Sequence, residues 1–411
     1  MLYYIPLEPY EQRYTAQLSE PETGWLEGRW RERGIEYVRI APDTMEQTHI
    51  EMGQVLDGKR RWEWASYQIT HLINLAQQGH ITDDDVIFFD DFWTPGLAHL
   101  FYVFHQCNVF PRCYAFCYAQ SVDEYDFTFP MRSWLRHFEK GIGACMSGVF
   151  VANSMLKDML VWEDIVVENR CHVVGLPYDG ESVRDRFFTL AKAKGCQGPP
   201  PSRKDRVVFS SRVDKEKDPE FFLDVAKRVW RTHPDVEFCM TTSAPAFKSN
   251  DATLIETIRR FNEKHDKFKL RTGLSKWEYY ELLISSKIQF NCALQDWVSF
   301  TLLEATTFGC IPVYPQRRSF PETFTDASGT PHDEYMYEVD TPTHAPSITH
   351  DTEVANAAEL ILVGLQDGMW DRQAVEDRDW IWKRYDHTWE RMLWHMNVID
   401  AIPTERQGLY G

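Results

Sequence analysis

Long apolar runs are missing from this 411-residue chain. Stretches such as Val86–Phe89 fall far below the roughly 20 residues that a membrane-spanning helix requires. The opening Met1-Leu2-Tyr3-Tyr4-Ile5 has neither the basic region nor the apolar core of a secretory signal, so the chain reads as soluble and cytoplasmic, with no membrane partner. Basic residues are in deficit: 44 against 62 acidic ones, a formal net charge of −18. A surface that acidic repels polyanions and excludes indiscriminate nucleic-acid binding, although a local basic groove stays compatible with it. Cysteines number nine. An odd count in a chain this long fits a reducing compartment better than a disulfide framework. Cys113 and Cys117 form a close pair with no matching His/Cys pair elsewhere, so they are expected to pack in a core rather than hold zinc. Internal repeats of solenoid period and low-complexity tracts are also lacking.

What remains is an ordinary globular composition, 43% hydrophobic, 26% charged and 14% aromatic, long enough for two or three domains. Short apolar strand candidates alternate with amphipathic segments throughout. In the first half they are Leu2–Ile5, Tyr37–Ile40, Val86–Asp90, Cys113–Tyr118, Val149–Ala152 and His172–Val174. In the second half they are Val207–Ser210, Val236–Met240, Phe268–Arg271, Ile288–Cys292 and Ile311–Tyr314. Between them lie helical patterns such as Tyr67–Gln77, where Ile69, Leu72, Ile73 and Ala76 share one face. Strand, helix, strand in this order means parallel sheets with crossover helices. The run Gly195-Cys196-Gln197-Gly198-Pro199-Pro200-Pro201 is the one obvious linker. The expected organisation is therefore an N-terminal domain over 1–185, a linker over 186–204, a second domain over 205–378, and a Trp-rich helical segment over 379–411 that packs back on the body. Both domains are expected to be α/β and doubly wound, to face each other across a cleft, and to bind ligands at the carboxyl ends of their strands.

Two strand-to-helix junctions in the second half carry the chemistry. In Val207-Val208-Phe209-Ser210-Ser211-Arg212-Val213-Asp214-Lys215-Glu216-Lys217-Asp218-Pro219, a buried strand ends at Ser210 and a helix begins with Asp218 as N-cap and Pro219 in its first turn. Arg212 and Lys217 then sit in a loop beside the positive end of a helix dipole, where fixed donors suit a pyrophosphate; as isolated residues they would read as two solvated loop cations. In Phe290-Asn291-Cys292-Ala293-Leu294-Gln295-Asp296-Trp297-Val298-Ser299-Phe300-Thr301-Leu302-Leu303-Glu304-Ala305, a strand ends near Cys292 and a helix starts near Val298. Glu304 lies among apolar neighbours and needs a donor partner, which sugar hydroxyls or a buried arginine would supply.

Together these segments resemble the retaining, GT-B-fold glycosyltransferases of family 4. The matching elements are Arg212-x4-Lys217, then Asp296-x7-Glu304 with Ala305, Gly309, Pro312 and Val313. Val151-Ala152-Asn153-Ser154 with Leu156-Lys157, and Gly175–Asp179, are similar to the end of that family's first domain. The resemblance spans most of residues 145–315. It implies a GT-B fold and transfer of a hexose from a nucleoside-diphosphate sugar, UDP-linked by family expectation, with no metal and no cofactor beyond the donor. By that resemblance Arg212 and Lys217 bind the diphosphate, Glu304 holds the ribose hydroxyls, and Asp296 holds the transferred sugar. Ser299, Phe300 and Thr301 would touch the phosphate or sugar, and Gly273 and Leu274 would edge the nucleobase. Two departures stand out: Ser211 replaces the usual Gly, and Asp296 the usual first Glu.

The acceptor would belong to the first domain. Pro6–Thr15, Asp90–Gly96 and Gly175–Asp179 resemble segments of bacteriophage-encoded glycosyltransferases, some linked to sugar addition on hydroxymethylated pyrimidines in DNA. That implies a DNA partner and, for a phage protein, the host cytoplasm. Asp90, Asp91, Tyr118 and Asp123 are the acceptor-side candidates, Asp90 and Asp91 because they end a strand where a doubly wound domain places its ligand. Tyr118 stands where related sequences have a His. Asp83-Asp84-Asp85 reads as a polar turn rather than a metal site. A DNA acceptor would need Lys59, Arg60, Arg61, Arg132, Arg136 and Lys140 to line a groove, with Trp62 and Trp134 stacking on an extruded base. The alternatives are transfer to a soluble saccharide or metabolite, and a GT-B-like binding protein without catalysis.

Overall fold

A computed structural model describes residues 1–10, 14–19, 24–43, 58–118, 120–126, 128–195, 202–249, 251–325, 333–340, 348–366, 369 and 380–400. Among the described residues, twelve strands build two parallel sheets. The first six are β1 (Leu2–Ile5), β2 (Tyr37–Arg39), β3 (Val86–Phe89), β4 (Arg112–Phe116), β5 (Gly148–Val151) and β6 (Cys171–Val173), in the order β2-β1-β3-β4-β5-β6. The rest are β7 (Lys204–Phe209), β8 (Glu237–Thr241), β9 (Phe268–Arg271), β10 (Ser286–Phe290), β11 (Ile311–Pro315) and β12 (Met336–Tyr337), in the order β12-β11-β10-β7-β8-β9. Every expected strand is present, with small differences at the ends, and the short β12 is an addition. Central strands such as β3 and β5 are buried along their whole length, as a parallel sheet covered on both faces requires.

Each sheet reverses its order of growth once. In the first the reversal lies between β1 and β3, which pair Leu2 with Val86 and Ile5 with Phe89. In the second it lies between β7 and β10, which pair Ile288 with Val207. At such switch points the connecting loops diverge to opposite faces and leave a crevice beyond the strand ends.

The chain divides into two units, one of Met1–Tyr178 with the described residues from His387, the other of Asp179–Asp386. The first therefore ends at Tyr178 and not at 185, because the helix Gly180–Ala193 is held by second-unit partners. Its Phe187 stacks on Trp277 at 4.6 Å and meets Phe308 edge-on at 5.2 Å, and Arg184 donates to the Thr307 carbonyl at 2.9 Å. Cys196–Pro201 of the expected linker lie outside the described residues.

Among its described residues the Trp-rich segment forms two helices. Trp380–Lys383 belongs to the second unit, where buried Trp382 lies against Gly180; a Cβ there would sit 2.2 Å from the indole, so only glycine fits. Thr388–His395 returns to the first unit. There Glu390 pairs with Arg33, Arg112 donates to the Met396 carbonyl at 3.0 Å, and His395 stacks on His172 of β6 at 4.0 Å. Cys113 and Cys117 are buried around β4, and burial pushes both thiols up. Among the described residues no helix is long and apolar enough to cross a membrane.

Candidate active-site residues in each unit

In the second unit both junctions form at the switch point. After β7 the chain turns through Lys215–Lys217, then Asp218 adopts the left-handed conformation (φ 46°) and accepts from the Phe221 amide at 3.4 Å, capping the helix Pro219–Trp230. Cap and start are those expected. This turn buries the Lys217 side chain, which donates to the Gln295 carbonyl at 2.9 Å and lies 3.8 Å from Asp296 and 3.7 Å from Glu216. A buried ammonium persists only with such partners. Arg212, half-exposed, forks between Asp214 at 3.2 Å and Glu216.

Backbone contacts tie the two junctions together. The Leu294 amide donates to the Glu216 carbonyl at 2.7 Å, and the Cys292 thiol to the Lys217 and Asp218 carbonyls at 3.4 and 3.2 Å. Buried Asn291 braces the second loop from within: its side-chain oxygen accepts from the Ala293 amide at 2.8 Å, and its Nδ2 donates to Ser299 at 3.1 Å and Asp296 at 3.5 Å. Ser299 caps the helix Phe300–Thr307, so that helix starts two residues later than expected. Ser299 also shares a hydrogen bond with Thr301 at 3.0 Å, and Phe300 opens the first turn.

Glu304 projects from that helix and is buried. Its donors are Lys276 at 2.5 Å and Tyr280 at 3.0 Å, in place of a buried arginine. Both donors come from the helix Lys276–Ile284, which opens with a capping box between Ser275 and Glu278. Gly273 and Leu274 precede it. Gly273 needs its positive φ of 67°, and the two amides donate to the carbonyls of Ala244 at 2.6 Å and Thr242 at 3.3 Å beyond β8. The structure thus brings Arg212, Lys217 and Asp296 into one cluster, and sets Glu304 at the helix that follows the Gly273 turn.

In the first unit, Asp90 follows β3 at the switch point and is fully buried. Tyr4 and Ser19 donate to one oxygen, each at 3.0 Å, and Tyr118 to the other at 3.2 Å. Burial pushes its carboxyl up to about 7, although these three hydroxyls pull the other way. Asp91 accepts from Arg61 at 2.7 Å, and Arg61 also bonds Glu8 at 2.7 Å. Burial works against the Arg61 cation, yet Asp91 and Glu8 outweigh it and hold its pKa above the ordinary arginine value. Asp123 lies in a separate buried turn, where it accepts from the Tyr125 amide at 3.1 Å.

Arg61 is therefore not a groove cation. Three other cations of the expected groove are also paired: Lys59 with Glu63 at 3.6 Å, Arg136 with Glu163 at 2.7 Å and Lys140 with Asp164 at 3.7 Å. Trp62 and Trp134 are exposed, as stacking would require. Asp83 and Asp85 serve turns, accepting from Phe110 and Thr82 amides, each at 2.7 Å. Among the described residues no three His, Cys, Asp or Glu side chains gather as a metal site.

No protein-family model matches the chain, and no curated protein matches it by sequence. Solved structures do. The catalytic domain of starch synthase IV from Arabidopsis thaliana, bound to ADP and acarbose, superposes with a TM-score of 0.60 at 11% identity, covering 97% of this chain and 99% of that one. A UDP-forming α,α-trehalose-phosphate synthase from Burkholderia vietnamiensis gives 0.56 at 12% identity over 82% and 80%. The pneumococcal O-GlcNAc transferase GtfA, in complex with UDP and GlcNAc, gives 0.50 at 12% identity over 79% of this chain, which spans only 60% of the length of that transferase. The fold is GT-B.

On this GT-B frame several partners of the candidate residues carry no motif of their own. Glu216 lies between Arg212 and Lys217 and contacts both. Asn291 is an ordinary loop residue in the sequence, and only its three side-chain hydrogen bonds reveal its work. Lys276 and Tyr280 do leave a faint signal: spaced i, i+4 just past the Gly273 turn, they share a helix face.

Proposed function

We propose that this protein is a glycosyltransferase that moves a sugar from a nucleoside-diphosphate sugar to an acceptor hydroxyl, with the donor held by the second unit and the acceptor by the first. The observation that carries this reading is the cluster at the second switch point, where a buried Lys217 ammonium stands 3.8 Å from Asp296 in a GT-B unit. A diphosphate entering there would draw Lys217 and Arg212 away from Glu216, exchanging one anionic partner for another. We assign Asp296 to the transferred sugar, Glu304 to the ribose, Gly273 and Leu274 to the base, and Ser299, Phe300 and Thr301 to phosphate or sugar.

Transfer breaks the bond between the anomeric carbon and the diphosphate oxygen, whose electron pair stays on the leaving phosphate. Lys217 and Arg212 stabilise the charge that develops there, an electrostatic contribution that needs no enzyme nucleophile. The acceptor oxygen bonds to the anomeric carbon from the face the diphosphate leaves, which retains configuration, and its proton passes to a phosphate oxygen of the leaving group. Positioning of the two reactants supplies the rest. Metal has no required part in this scheme, and a UDP-linked hexose is the donor we place first.

For the acceptor we retain hydroxymethylpyrimidine DNA and a soluble saccharide or metabolite. Pairing of Arg61, Arg136 and Lys140 with carboxylates favours the soluble acceptor. The deciding experiment incubates the protein with UDP- and ADP-sugars and either acceptor, then weighs the products by mass spectrometry. A product heavier by one sugar residue, with an unchanged anomeric configuration by NMR, is expected. Nucleotide release without DNA gain discards the DNA acceptor, and no release from any donor leaves a binding protein.

A further inference from the structure

Gln295 has no part in the transfer scheme. Its backbone is fixed on both sides: Leu294 donates to the Glu216 carbonyl at 2.7 Å, the Gln295 carbonyl takes the Lys217 ammonium at 2.9 Å, and Ser319 donates to the Asp296 carbonyl. The residue is 6% exposed, and its Nε2 is buried with no hydrogen-bond partner. Leaving a buried amide donor unpaired costs about 1–3 kcal/mol. A buried polar group without a partner calls for an explanation in a native chain, and a ligand that completes it is one.

Placement narrows what that ligand is. Gln295 sits in the loop between β10 and the helix Phe300–Thr307, at the carboxyl edge of the sheet and next to Asp296. Asp296 can only accept hydrogen bonds, whereas the Gln295 Nε2 can only donate. Sugar hydroxyls both give and take, so such a pair suits vicinal hydroxyls, or a hydroxyl beside an acetamido carbonyl. A deoxy position would leave the amide orphaned.

We propose that Gln295 is a specificity residue for the transferred sugar, donating from Nε2 to a sugar oxygen beside the hydroxyl that Asp296 accepts from. This rests on the donor reading of the second unit. The test uses the full chain and isothermal titration calorimetry with UDP, UDP-glucose, UDP-N-acetylglucosamine and ADP-glucose, on wild type and Gln295→Leu. One neutral hydrogen bond predicts a loss of about three- to ten-fold in affinity for the preferred nucleotide sugar, with UDP bound as before. Because the apolar side chain removes the orphan, melting temperature should hold or rise by a few degrees. Gln295→Asn, too short to reach, should reproduce the affinity loss and serves if the leucine variant misfolds. Equal affinities for wild type and variants overturn the proposal, and so does a parallel loss for UDP and UDP-sugar, which would mean that Gln295 only shapes the loop. A wild type that binds none of the four probes fails the donor reading itself.

Discussion

Replacing Asp90 by asparagine should make the protein more stable and less useful. The carboxyl is fully buried, receives hydrogen bonds from Tyr4, Ser19 and Tyr118, and titrates near 7 against an ordinary 3.8. A raised folded-state pKa means that the folded protein keeps a proton which the unfolded chain gives up once the pH passes 3.8. Stability attributable to Asp90 therefore falls as pH climbs from about 4 to about 7. At ~1.4 kcal/mol for each pH unit of that window, the penalty reaches about 4 kcal/mol at pH 8 and less than half of that at pH 5. Asparagine removes the titration and keeps the shape. Its oxygen can take the bonds from Tyr4 and Ser19, while Tyr118 turns its hydroxyl to accept from the amide. Urea denaturation of wild type and Asp90→Asn at pH 8 and pH 5, followed by far-UV circular dichroism, reads the difference directly. A gain at pH 8 at least twice that at pH 5 is expected, and the proposed acceptor-side role of Asp90 predicts reduced sugar transfer as well. Equal effects at both pH values, or a loss at pH 8, would refute the account of the buried carboxyl.

Four further outcomes are expected. Lys217→Met should lower kcat by about 10²-fold or more, as loss of a preorganised charge does, and nucleotide release over time measures it. Gly143→Ala would set a Cβ 1.9 Å from the Ile165 carbonyl oxygen, so a loss of about 2 kcal/mol or more is expected in urea titrations. Arg61→Met should destabilise by about 3 kcal/mol, since it leaves buried Glu8 and part-buried Asp91 without their cation, and the deficit should shrink as acid protonates Glu8, whose pKa burial already raises. Burial, then His172, holds the His395 ring down at about 4 against 6.5, so the unfolded chain alone gains a proton as pH drops through that window. The full window would be worth about 3 kcal/mol, which solvent screening at this part-exposed ring cuts to on the order of 1–2 kcal/mol, so docking of the helix Thr388–His395 should weaken by that much between pH 6.5 and 4, and His395→Gln should flatten the slope in thermal melts.

Periodicity in the sequence located every strand but β12: central strands such as β3 and β5 are buried on both faces and read as bare apolar runs, whereas the edge strands β2 and β9 are part-exposed and mix apolar with charged residues. β12, Met336–Tyr337, is too short to make such a run. The cap at Asp218-Pro219 was legible from local backbone rules alone. Partners of the site were not, since long-range pairing has no sequence period: Lys276 reaches Glu304 across 28 residues, and Arg61 reaches Glu8 across 53. Arg61 illustrates the limit well. Flanked by Lys59, Arg60 and Trp62, it has the look of a surface cation, and only tertiary structure turns it inward.

The two units differ in how they can be made. The second is one continuous stretch, Asp179–Asp386, whereas the first needs a helix encoded more than 200 residues after its last strand. On a ribosome that synthesises from the N-terminus, the first sheet emerges early and must wait. Until Thr388–His395 emerges, Arg33 lacks Glu390, His172 of the edge strand β6 lacks its stacking partner His395, and the Val174 carbonyl just beyond β6 lacks the Arg391 guanidinium. The second unit can finish before the first. A chain stopped just after Asp386 would carry a complete second unit and a first unit with an open edge, the kind of nascent intermediate that chaperones hold.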